Sequence, residues 1–232
     1  MNLIEAVKTL ADAGTAQNRK VYARHGIREP MYGCSFARLK SVAKKIKHDQ
    51  KLAEQLWDTG NHDCRCLAIM VADPQAIKKS TLAKWGRGVD NSCLSGMLGD
   101  LAANTDHAFH FASAWCESPR EFTGAAGWSA VAVLAMSDDD HGELDELLAT
   151  CLEAVEHGIH AAPNHTKQAM NGALIAVGGR NAKLKKLALA AAKRIGKVEV
   201  DHGETNCKTP DAAGYIAKMW ARKDGSKRSS AH

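Results

Sequence analysis

Five side chains able to bind a metal, move a proton or attack a carbonyl fall within eight residues of the stretch EVDHGETNCKTPDA, residues 199–212: Asp201, His202, Glu204, Cys207 and Lys208. Their spacing decides what they can do together. His202, Glu204 and Cys207 lack the fixed intervals of a zinc site, and one Cys near one His is too little for nucleophilic catalysis. The other residues have local uses. Gly203 suits a turn, Thr209 a helix cap, Pro210 a first helical turn, and Asp211 the positive end of a helix dipole. The stretch therefore reads first as a polar strap that holds the last helix. A loop touching DNA or a ligand is the second reading, and metal or covalent chemistry the third.

Other candidates are sparser. Seven cysteines (34, 64, 66, 93, 116, 151 and 207) are odd in number and have no framework spacing. They read as reduced, metal-free thiols of a cytoplasmic protein. Cys64 and Cys66 diverge by roughly 200° around a helix, which does not suit one metal ion. His107 and His110 have a metal-compatible i, i+3 interval but no further ligands at fixed spacing nearby. Asp63 reads as a first-turn acid stabilised by a helix dipole, and Arg65 as either an ion-pair partner or a phosphate contact. No metal and no cofactor are expected.

The elements that must position these residues are helical almost throughout. Leu3, Val7 and Leu10 recur at helical intervals, with Gly14 as a stop. Phe36, Leu39, Val42, Ala43 and Ile46 share one face after a capping Ser35, with basic residues mainly opposite. Asp49 caps a helix that ends at Gly60, and Pro74 closes the next. Ser80 and Gly86 bracket a short one, and Ser118 and Pro119 open another. No run alternates long enough for a sheet, and only Val198–Asp201 looks extended. This predicts eleven or twelve helices in pairs recurring about every 35–45 residues, the pattern of an all-α, HEAT-like or armadillo-like solenoid. Residues 1–222 form the single domain, and the polar stretch 223–232 reads as a disordered tail.

At 232 residues, with 45% hydrophobic and 25% charged, the composition is that of an ordinary globular chain. No apolar run approaches the roughly 18 residues of a membrane span. Thirty-one Lys and Arg against 26 Asp and Glu give a net charge of +5, which permits a polyanionic partner without requiring one.

Several phrases then act together: NRKVYARHGI (18–27), LAEQLWDTGNHDCRCLAIMVADP (52–74), SPREFTGAAGW (118–128), AMNGALIAVGGR (169–180) and GKVEVDHGETNCKTPDA (196–212). In order and spacing they resemble DNA alkylation repair proteins of the AlkD-like class over about residues 1–222. The resemblance implies a HEAT-like superhelix whose basic concave face cradles duplex DNA. Active members of that class are glycosylases that excise positively charged alkylated purines without a base-flipping pocket. The resemblance also locates the active groups. A Trp and an Asp four residues apart fall on Ser92 and Gly96. A paired Arg falls on Gly124 and Ala125, and an aromatic with a following Arg falls on Gly172 and Ile175.

The physics of that difference is direct. Cleaving a glycosidic bond develops positive charge on the sugar, which a carboxylate stabilises, while Arg holds the neighbouring phosphate and aromatic walls meet the cationic nucleotide. Ser, Gly and Ala do none of this. Asp100, one turn beyond Gly96, is the remaining carboxylate candidate, displaced by about 5 Å along the axis. DNA, duplex or structured, is the expected partner, with no membrane partner and protein partners unassigned. Arg19, Lys20, Arg24, Arg65, Lys167, Arg180 and Lys208 are the expected phosphate contacts. The first reading is a DNA-binding protein without competent glycosylase activity. A glycosylase with relocated groups and a peptide- or protein-binding scaffold are the alternatives.

Overall fold

The computed structural model describes residues 1–138 and 142–229, with side chains through residue 223. The described residues form thirteen helices, one or two more than the periodicity predicts, and no strand. They are α1 (Leu3–Ala13), α2 (Ala16–Arg24), α3 (Phe36–Ile46), α4 (Gln50–Asp58), α5 (His62–Val71), α6 (Lys79–Gly88), α7 (Ser92–Ala103), α8 (Ala108–Cys116), α9 (Glu121–Ala135), α10 (Gly142–Gly158), α11 (Asn164–Arg180), α12 (Ala182–Ile195) and α13 (Ala212–Ser229). Val198–Asp201 is an irregular loop rather than an extended strand. α13 runs to Ser229 and so takes up most of the stretch whose composition suggested a tail, while residues 230–232 lie outside the described residues.

Local chemistry sets most of the helix ends. Ser35 accepts from the Arg38 N–H and Asp49 from the Leu52 N–H, as N-caps should. Three expected signals are displaced. α6 starts at Lys79 without a side-chain cap and runs through Gly86 to Gly88. Arg120, not Ser118, holds the cap position of α9. Asp211, not Thr209, caps α13, its Oδ2 accepting from the Gly214 N–H at 2.7 Å.

α5, α7, α9, α11 and α13 pack side by side in succession, with α4, α6, α8 and α12 laid against that inner row. An inner helix has neighbours on both flanks and a third behind it. That explains why α9 and α11 are apolar nearly all round and carry no clean polar stripe. Two hydrophobic cores fill the layers, one centred on Trp57, Trp85 and the leucines of α4–α7, the other on α9–α13. α8 and α9 contribute to both, so the stack is continuous. Trp57 and Trp85 stack with centroids 4.7 Å apart, a contact worth about 0.5–1.5 kcal/mol beyond area burial.

Close approach within the inner row, and between it and the helices laid against it, depends on two glycines. A Cβ on Gly99 of α7 would lie 2.5 Å from the Ala126 carbonyl oxygen, and one on Gly127 of α9 would lie 2.4 Å from the Cys116 nitrogen. In both cases the obstruction is backbone, which cannot swing aside.

Candidate nucleic-acid interface

The N-terminal wall of the site is held by one carboxylate. Asp63 sits in the first turn of α5 and is fully buried. Its oxygens accept from the N–H groups of Tyr32 (2.6 Å), Gly33 (3.0 Å) and Cys34 (2.7 Å). The loop between α2 and α3 is therefore wrapped around a buried anion, with charge-assisted bonds in place of water. Tyr22 of α2 donates to the Cys34 carbonyl of the same loop. Burial, with the Asp63 charge second, pushes the Tyr22 phenol well above its ordinary range, so it remains a donor. The sequence placed Asp63 at a helix N-terminus, which is right. It gave no sign of the three loop N–H groups some thirty residues upstream.

Against that wall lies a cleft of about 500 Å³. α2 contributes Tyr22, α7 Ser92 and Cys93, α9 Ala125, and α11 His165 and Gln168. Two of the six positions singled out by the resemblance, Ser92 and Ala125, thus meet in one cavity. Gly96 and Gly172 stand clear of it, and a Cβ on either would meet open space within 4 Å. Gly124, in contrast, faces Thr166 and the Ser118 carbonyl. Among the described residues no Asp, Glu, Lys or Arg lines the cleft. Its hydroxyls are largely turned inward: Ser95 bonds the Phe122 carbonyl and Ser129 the Ala125 carbonyl. Asp100 is exposed on α7 and does not line the cavity. The site therefore presents a floor of small residues edged by hydroxyl, imidazole and amide groups.

The polar stretch that opened the sequence forms an adjoining wall. A recess of about 290 Å³ is shared by Arg24, Ser92, His165, Gln168 and Asp201–Cys207 residues, joining the end of α2 to the start of α11. The strap is pinned to α11 by a reciprocal pair: Asn164 Nδ2 donates to the Asp201 carbonyl at 2.6 Å, and Asp201 N–H donates to Asn164 Oδ1 at 2.8 Å. It is folded on itself by a 3.0 Å contact between His202 Nε2 and Thr209 Oγ1, and by Thr205 donating to the His202 carbonyl at 2.8 Å. Gly203 takes φ +57°, the left-handed conformation its turn role implied. His202, Glu204 and Cys207 do not gather as ligands; the described residues offer one such group elsewhere, His62, Cys66 and Cys93.

The expected phosphate contacts divide into two sets. Arg19, Lys20, Arg24 and Lys208 are exposed, Lys167 is half-buried, and none of the five has a salt bridge among the described residues. Arg65 and Arg180 are committed within the protein. Arg65 pairs with Asp90 at 3.4 Å and lies 5.1 Å over the Trp57 ring. Arg180 donates to Asp145 at 2.8 Å and to the Ser137 carbonyl at 2.9 Å, with its side chain only 8% exposed. The Arg180 guanidinium in turn holds the Asp145 carboxyl below the usual carboxylate range. Arg180 is thus held by short internal bonds, and Arg65 by one longer pair with an exposed carboxylate. Arg180→Ala is expected to destabilise the protein by about 2–4 kcal/mol, because it removes a buried guanidinium that pairs with Asp145 and bonds the Ala135 and Ser137 carbonyls. DNA affinity of the folded variant should not change. Urea denaturation beside a binding titration separates the two effects.

A two-layer helical stack with its cleft on the inner row is the architecture of HEAT-like repeat proteins. The chain belongs to the family described as DNA alkylation repair enzyme, which it matches over residues 3–216. It is 29% identical to the Listeria innocua protein Lin0241 and 30% identical to the Listeria monocytogenes protein Lmo0209, each over 86% of this chain and 88% of the relative. Both relatives are described as uncharacterized. A solved structure superposes with a TM-score of 0.86 at 31% identity, covering 96% of this chain and 95% of its own. That protein is described among a new family related to the HEAT-like repeat DNA glycosylases, with affinity for branched DNA structures.

Proposed function

We propose that this protein binds DNA through its inner face, prefers branched DNA to plain duplex, and does not excise alkylated purines. The observation that carries the reading is the cleft itself. Where the resemblance puts an aromatic, a carboxylate and an arginine, the chain has Ser92, Gly96 and Ala125, and no charged residue lines the cavity. Such a floor can receive a backbone or a splayed junction strand but has nothing to stabilise an oxocarbenium ion. Arg19, Lys20, Arg24, Lys167 and Lys208 supply sequence-independent attraction to phosphate. The branched-DNA affinity described for the structural relative supports the choice of partner. The reading also places the protein in the cytoplasm, in keeping with cysteines that show no framework spacing. Among the described residues no helix is long and apolar enough to cross a membrane.

Fluorescence anisotropy with a four-way junction and a duplex of matched sequence tests this. If all five cations meet phosphate, log affinity should fall against log salt with a slope of roughly −4 to −5, at about −0.9 per contact. Arg19→Ala and Lys167→Ala should each reduce that slope by about 1, evenly across sequences. The junction should bind about ten-fold more tightly. Equal affinity for both DNAs would remove the branched preference. A flat salt response, or no binding at low salt, would favour a protein- or peptide-binding scaffold.

A further inference from the structure

One cluster of reactive side chains lies outside the strap and outside the positions aligned with the resembled enzymes. His62 and Cys66 are one helical turn apart on α5, and Cys93 faces them from the first turn of α7. Their nearest nitrogen and sulfur atoms all lie within 4.8 Å of one another. His62 and Cys66 are buried, while Cys93 is partly open and lines the cleft. The sequence left this group hidden, because Cys64 and Cys66 diverge around α5 and the true partner of Cys66 is 27 residues further on.

The hydrogen bonds around His62 indicate what the cluster can do. Asn91 caps α7, its amide oxygen accepting from the Leu94 N–H at 3.0 Å. That bond fixes the amide orientation. The amide nitrogen donates to Asp90 Oδ1 at 2.8 Å and faces His62 Nδ1 at 3.4 Å. Nδ1 is thus the accepting nitrogen, and Nε2, 3.5 Å from Cys66 Sγ, carries an N–H. A metal ion would need the Nε2 lone pair and would ask Nδ1 to donate to an acceptor, where it meets a donor instead. Sulfur suits this arrangement better: the Nε2 N–H is directed at the Cys66 sulfur, which leaves the Cys66 S–H to turn toward Cys93, whose sulfur lies within 4.8 Å.

The geometry points to Cys93, backed by Cys66 and His62, as a nucleophilic thiolate site on the cleft wall that takes soft electrophiles and peroxides. The Cys66 sulfur and a His62 ring nitrogen stand within 4.8 Å of the Cys93 sulfur, and the N–H groups of the first turn of α7 add a dipole. The Cys93 thiol is accordingly lowered, with hydrogen bonding from Cys66 the largest cause, while Cys66 is raised, chiefly by the same interaction. Burial and the Asp63 charge oppose the Cys93 thiolate. Tyr22, His25 and His165 share its cleft, and Met97 Sδ lies 4.0 Å from its sulfur. The other thiols are poor competitors. Burial pushes Cys34 up to about 12, and Cys64 and Cys151 up to about 11. Cys116 is also raised by burial.

With hydrogen peroxide the step is a two-electron oxidation. The Cys93 thiolate attacks one peroxide oxygen, the O–O bond breaks, and the departing hydroxide takes a proton from solvent to leave as water. Cys93 is then a sulfenic acid. The Cys66 sulfur attacks it, forming a bond between α5 and α7 and releasing a second water.

Iodoacetamide labelling of the intact protein, mapped by mass spectrometry, tests this without a variant. At about pH 6.5 an ordinary thiol is only about 1% ionised, so Cys93 should label at least ten-fold faster than exposed Cys207. Cys66→Ala and His62→Gln should each shift the pH midpoint of Cys93 labelling upward. Peroxide should join Cys66 to Cys93, and in Cys66→Ala it should leave a Cys93 sulfenic acid that dimedone traps. Cys93 labelling no faster than Cys207 would overturn the proposal. So would a stoichiometric metal in the purified protein whose removal is needed before Cys93 reacts.

Discussion

Replacing Asp63 with alanine is expected to lower the stability of the protein by about 3–5 kcal/mol, the largest loss for any single side chain near the cleft. Three N–H groups, of Tyr32, Gly33 and Cys34, point at this one buried carboxylate. Removing it leaves them in a site that water does not reach, and it also takes an acid from the first turn of α5. Asp63→Asn keeps the shape and one acceptor oxygen, and should cost less, about 1–3 kcal/mol. The loss should also be felt in function. The loop that Asp63 organises receives the Tyr22 hydroxyl, and Tyr22 lines the cleft. Urea denaturation midpoints at unchanged slope measure the stability term. An alanine variant as stable as the parent would mean that the loop finds other acceptors.

Much of this fold was legible from local chemistry. The caps at Ser35 and Asp49 lie where side-chain oxygens act on their own neighbours, whereas the stop at Gly14, also where expected, needs glycine because the Tyr32 carbonyl fills the space of a Cβ. Displaced boundaries had tertiary causes. Gly86 looked like a stop, yet it is an interior helix residue because the Trp115 ring occupies the space a side chain would need, 2.7 Å from an added Cβ. Thr209 looked like a cap, yet its hydroxyl is taken by His202, and Asp211 caps in its place.

The site was legible in a different way. The residue types at Ser92, Gly96, Ala125 and Gly172 could be read from the order of quoted phrases, but not that Ser92 and Ala125 share one cavity while Gly96 and Gly172 face open space. Arg65 and Arg180 look like any other basic residue in sequence, and only the fold supplies Asp90 and Asp145 as their partners. His62 and Cys66 share a face of α5, while Cys93 arrives from a different helix. Long-range pairings of this kind have no sequence period.

Single-turnover base release on methylated duplex DNA, with protein in excess and binding followed in the same sample, tests the central claim most directly. Losing a positioned carboxylate typically removes roughly 10²–10⁴ in rate, and here the arginine and aromatic positions are occupied by small residues as well. The account predicts DNA that is bound and a release of 7-methylguanine and 3-methyladenine no faster than without protein. Asp100→Asn should leave that result unchanged. Release above the protein-free rate would contradict the account, and its loss in Asp100→Asn would show that the carboxylate acts from one turn further along α7.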